Sequence, residues 1–155
     1  MVKVAAARGA LPCPTMTRRP VLVVTVFAAW TLVVWVGRIR NVVDDDDLSG
    51  SEQTVRLVLA AVFIVGAVVV AALLPAARRA GEGVERLRTA VDVVAAVTIA
   101  VWAVRGAGIL LDEDHTAGFK AVHTALALAS IGLALLAWRA TQKMEGVEAQ
   151  RVIPD

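Results

Sequence analysis

The chain has 155 residues, of which 58% are hydrophobic and 19% charged, with a mean hydropathy of +0.70. A soluble domain is about half apolar and a quarter charged, so this composition argues against one soluble fold and points to a membrane protein. The formal charge of +2 comes from short basic clusters beside apolar runs, with no basic stripe interleaved with aromatics, which argues against nucleic acid as a partner.

Residues 1–19 read as a loose basic tail containing Cys13, the only cysteine, so neither an intrachain disulfide nor a Cys-rich metal site is expected. Leu11-Pro12-Cys13 lacks the apolar run that precedes a lipoprotein cysteine, and Met16, ahead of Thr17-Arg18-Arg19-Pro20, resembles a second start site. Beyond the tail, four runs have the roughly 20 apolar residues that a helix needs to cross about 30 Å of hydrocarbon. They lie at about 21–43, 57–77, 89–111 and 118–138. The first is uncharged until Arg38, exceeds a signal-peptide core of about 7–15 residues and has no clean small-x-small cleavage site, so it reads as a retained helix. The second carries no charge, the third carries Asp92 and Arg105, and the fourth carries Lys120 and His123.

Asp92 stands four residues after Arg88, the spacing of a helical ion pair, with a proton-carrying acid as the alternative. Small residues four apart, Ala67 with Ala71, Ala96 with Ala100 and Ala125 with Ala129, would let helices approach closely in lipid. The expected architecture is an all-α, four-transmembrane-helix bundle over residues 20–140, followed by a charged tail over 141–155.

Lys3, Arg8, Arg18, Arg19, Arg78, Arg79, Arg86, Arg88, Arg139, Lys143 and Arg151 fall at the N-terminus, in the second connection or in the C-terminal tail. Arg38, Arg40, Arg56, Arg105 and Lys120 fall on the opposite side. Because positive residues are retained inside, this asymmetry predicts a multi-pass protein of the plasma (inner) membrane with both termini cytoplasmic.

The stretch TLVVWVGRIRNVVDDDD, residues 31–47, overlies TIAVWAVRGAGILLDED, residues 98–114, without a gap. Thr31 meets Thr98, Trp35 meets Trp102, Arg38 meets Arg105, Asp45 meets Asp112 and Asp47 meets Asp114; further on, Leu59 meets Leu126 and Ala60 meets Ala127. This pattern reads as an internal duplication of a two-helix unit, with two parallel copies related by an axis along the membrane normal. In each copy Trp and Arg are three residues apart, on one helical face where cation–π contact is within reach. Arg105 lies 17 residues beyond Arg88, about 25 Å at 1.5 Å per residue, just below the outer interface.

Two readings of this pattern stay open. Trp35, Trp102, Arg38 and Arg105 are interfacial anchors, and the acidic clusters are solvated caps that neutralise the arginines. Alternatively, the two arginines face each other across the axis, with Trp35, Trp102, Asp45, Asp47, Asp112 and Asp114 around them, as a polar site for an anionic group. The clusters 44–47 and 112–114 lack EF-hand spacing, leaving only a weak divalent-cation site as an alternative to a solvated charge run. His115 and His123 are too few for zinc, and on one helix they do not form a bis-His haem pair. No catalytic, cofactor-binding or metal-binding residue is therefore assigned. The expected role is a non-enzymatic accessory or interaction protein in the lipid bilayer, with another copy or a membrane protein as partner; the alternative is a small transporter or channel with an Arg-lined polar site.

The segments WTLVVWVGRIRNVVDDDDLS and WAVRGAGILLDEDHTAGFKAVHTALALASIGLALLAW resemble a group of small integral membrane proteins of actinobacteria. The resemblance runs from the first helix to the fourth and implies a four-helix inner-membrane protein without an assigned activity. The long N-terminal tail departs from that pattern.

Overall fold

In hydrocarbon, a backbone amide has no water to pair with, so a long apolar run satisfies its amides within its own helix. The computed structural model describes residues 18–46, 49–79 and 82–149, all of whose regular structure is helical. The tail with Cys13 and Met16 lies outside the described residues, as does Asp47. In chain order the helices are α1 (Arg18–Val43), α2 (Gly50–Arg79), α3 (Glu82–Leu111) and α4 (Ala117–Ala149). Each is long and apolar enough to cross a membrane.

The helices outlast the apolar runs, and local chemistry explains most of the extra turns. Before α2, Ser49 Oγ accepts the Glu52 N–H at 3.4 Å while Glu52 Oε2 accepts the Ser49 N–H at 3.3 Å and the Ser49 hydroxyl at 2.8 Å. This reciprocal capping satisfies two amide donors and starts α2 at Gly50, well before its apolar run. Before α4, Thr116 Oγ1 accepts the Phe119 N–H at 3.3 Å. At the other termini, Gln53 Nε2 donates to the Val42 carbonyl at 3.4 Å, and Lys120 Nζ donates to the Leu110 carbonyl at 3.3 Å. Each even helix thus supplies a side chain to the exposed carbonyls ending the helix before it. Good helix formers after Trp138, among them Ala140, Gln142, Lys143 and Met144, carry α4 on to Ala149.

Short connections place consecutive helices side by side, and α4 closes on α1, so the four packed interfaces run round a ring. At the α2–α3 end, Val24, Phe27, Val70, Leu87, Val91, Ala134 and Ala137 join one large apolar cluster. A Cβ added to Gly83 would stand 2.6 Å from the Ala76 carbonyl carbon, so glycine lets α3 begin against the end of α2. At the opposite end, the buried apolar cluster shrinks to Trp35, Ala60 and Phe63. The outward faces carry exposed Val58, Val65, Val93, Val104 and Leu128, a surface suited to acyl chains rather than water.

Of the small residues paired at four-residue spacing, only Ala67 is buried; Ala71, Ala96, Ala100 and Ala125 are exposed and Ala129 is half-buried. In an alanine-rich helix that spacing recurs on every face, so it does not identify the packed one. The alanines that do pack include Ala28, Ala60, Ala95, Ala127, Ala134 and Ala137. Burial does follow the 67-residue offset: Val24 and Val91, Ala28 and Ala95, Thr31 and Thr98, Trp35 and Trp102, and Ala67 and Ala134 are all buried. Thr31 Oγ1 donates to the Phe27 carbonyl at 2.9 Å, and Thr98 Oγ1 to the Val94 carbonyl at 2.7 Å.

Candidate polar cavity

On α1 the residues Trp30, Val34, Gly37, Arg38 and Asn41 recur at intervals of three and four, so they share one helical face. That face meets Val101, Trp102 and Arg105 of α3 and His123 and Leu126 of α4 around a cavity of about 340 Å³, which Val33 and Trp35 also line. Its volume falls at the lower end of small-molecule pockets, about 300–1,000 Å³. Along α1 it extends over 11 residues, about 16 Å at 1.5 Å per residue. Bulky rings and charged stems at this level do not interlock as the alanines and valines do at the other end.

Arg38 and Arg105 come from diagonally opposed helices, are both half-buried and line the same cavity. Arg38 lies within electrostatic reach of Arg105 and of Arg56 on α2, and Arg105 within reach of Arg56. Among the described residues, neither Arg38 nor Arg105 makes a hydrogen bond or an ion pair. Partly desolvated like charges without a counter-charge are costly.

The aromatic groups have distinct places. Trp35 stacks on Phe63 of α2, with centroids 4.1 Å apart and planes 6° from parallel, so the indole partner is a ring across the helix interface. Trp102 is buried beside the cavity. At the deep end, Trp30 Nε1 donates to Ser130 Oγ at 3.0 Å and ties α1 to α4. His123 Nδ1 is 3.0 Å from the Phe119 carbonyl. Because a carbonyl only accepts, Nδ1 is the donor in this contact. Phe119 packs on both histidine rings, 4.4 Å from His115 and 3.9 Å from His123.

The structure brings together Trp35, Trp102, Arg38 and Arg105 from the sequence-derived set, and it places the described acids elsewhere. Asp45, Asp112 and Asp114 do not line the cavity. Asp112 instead serves its own turn, with Oδ2 3.8 Å from His115 Nε2 and Oδ1 accepting the Asp114 N–H at 3.0 Å. Seven residues of helix separate Arg105 from Asp112, about 10 Å along the axis, and nearer polar partners engage the carboxylate first.

Trp30, Asn41, Arg56 and His123 also belong to this region, although the sequence alone does not group them with Arg38 and Arg105. The available signal is modest: Trp30 shares the stripe of Arg38, and Arg56 and His123 are basic residues separated by the same 67-residue offset. At the other end, Arg88 Nε and Asp92 Oδ2 form the four-residue ion pair at 3.6 Å, while Asp92 Oδ1 is buried without a hydrogen-bond partner. Among the described residues, no three His, Cys, Asp or Glu side chains cluster as metal ligands. Comparison with protein-family models, curated proteins and solved structures returns no match to this chain.

Proposed function

We propose that this chain is a non-enzymatic, multi-pass protein of the plasma membrane that holds an anionic group in the Arg38–Arg105 cavity. Both termini are cytoplasmic, so the cavity opens towards the outer face, and the anion belongs to a lipid or to a partner. One observation carries the reading: two half-buried arginines from opposed helices line one cavity, without an acid partner among the described residues. Distribution of Lys and Arg supports the orientation. Matching burial, paired threonine bonds and paired helix-end caps at or near the 67-residue offset support descent from a duplicated two-helix unit.

A transporter is the second reading, favoured by the repeated two-helix pattern and by a cavity lined by two half-buried arginines. Tryptophan quenching tests the anion site, because three of the four tryptophans line the cavity and Trp138 is removed by Trp138→Phe. In that background, Arg38→Gln with Arg105→Gln lowers quenching by iodide and leaves quenching by neutral acrylamide unchanged. Iodide quenching that is indifferent to both substitutions contradicts the anion site; charge-dependent flux into liposomes selects the transporter.

A further inference from the structure

Resting on the anion-site reading, we infer that the cavity takes an anionic amphiphile, with its head at Arg38 and Arg105 and its apolar part directed towards Trp30. The lining changes character with depth. Arg38, Asn41, Arg105 and His123 stand towards the connections, whereas Val34, Val101, Trp102 and Leu126 lie deeper. Eight residues separate Arg38 from Trp30, about 12 Å of helix. A bare inorganic anion answers the charges and leaves that apolar depth unused.

The deep end also selects against a polar tail. The single donor of Trp30 is committed to Ser130, and the face of Trp35 is committed to Phe63. What remains there is aliphatic and aromatic surface. Guanidinium forks match phosphate or carboxylate oxygens in planar, two-point geometry, so the head belongs to one of those classes. The gradient, charged towards the surface and apolar towards the bilayer centre, matches the orientation of an outer-leaflet lipid. The ligand is thus either a bilayer lipid or an amphiphile entering from the aqueous side.

The test uses the full chain with Trp138→Phe in nanodiscs of neutral phosphatidylcholine, read by tryptophan fluorescence and native mass spectrometry. The probes are decyl phosphate, inorganic phosphate, decanol and phosphatidic acid. Decyl phosphate is expected to bind at least about tenfold more tightly than inorganic phosphate and to lose about tenfold with Arg105→Gln. Val34→Phe fills the deep half and is expected to abolish decyl phosphate binding while leaving iodide quenching intact. Retention of phosphatidic acid as well assigns the ligand to the bilayer, and retention of decyl phosphate alone assigns it to the aqueous side. Arg-dependent binding of inorganic phosphate as tight as that of decyl phosphate overturns the amphiphile and leaves the anion site standing. Decanol binding as tight as decyl phosphate, unaffected by Arg105→Gln, overturns both. Failure of decyl phosphate and phosphatidic acid alike to bind overturns the amphiphile.

Discussion

The two ends of the bundle are built from helices of similar length and similar apolar content, yet they pack differently. At the α2–α3 end, small and branched side chains interlock from all four helices into one buried cluster. At the acid-rich end, three tryptophans and two arginines leave a cavity, and the buried cluster is reduced to Trp35, Ala60 and Phe63. Helix association in lipid depends on close packing rather than on expulsion of water, so the first end is where stability resides. The second end gives up packing for half-buried arginines and aromatic surface around a cavity.

Substitutions matched between the ends can break this contrast, and thermal unfolding in detergent reads it. The largest expected effect is Phe27→Ala, which empties a fully buried position in the packed end and costs about 3–5 kcal/mol. Arg105→Gln, by contrast, removes repulsion with Arg56 and Arg38 and leaves the melting temperature unchanged or raised. A loss for Arg105→Gln comparable with that for Phe27→Ala would mean that the arginine is structural.

Glycine substitutions give the next contrast. Gly83→Ala forces a Cβ against the Ala76 backbone and is expected to cost about 1–3 kcal/mol. Gly37→Ala meets no atom within 4 Å and adds a better helix former, worth up to about 1 kcal/mol of stabilisation. Equal shifts for both would deny that one end is tight and the other open. Trp30→Phe, which deletes the bond to Ser130 at the floor of the cavity, is expected to cost about 1 kcal/mol. The smallest effect is Asp92→Asn, since the pair with Arg88 is about one-third exposed on both sides and contributes about 0–1 kcal/mol.

The same contrast shows which features the sequence reveals. Crossing a bilayer requires long apolar runs, so four helices are legible from hydropathy alone, and W-x-x-R at Trp35–Arg38 and Trp102–Arg105 marks positions that later share a cavity. Helix starts were also within reach, because Ser49-x-x-Glu52 is a capping pattern, although reading only apolar content sets α2 seven residues late. The packed face was not legible, since alanine spacing is periodic on every side of these helices. Nor was the cavity outline, because Trp30, Asn41, Arg56 and His123 acquire meaning only when four helices converge. The local role of Asp112 was not legible either, because its engagement with His115 and the Asp114 amide depends on the turn that follows α3.

The central claim, an outward-opening cavity that favours anions, is tested most directly at Gly37, which lines the cavity and where an added Cβ meets nothing within 4 Å. With Cys13→Ser removing the only native cysteine, Gly37→Cys is exposed in intact spheroplasts to two membrane-impermeant methanethiosulfonates, one bearing a sulfonate and one a trimethylammonium group. The account predicts modification from outside, faster with the sulfonate, and loss of that preference when Arg38→Gln and Arg105→Gln are added. Modification only after the spheroplasts are broken, or faster reaction with the cationic reagent, would contradict it.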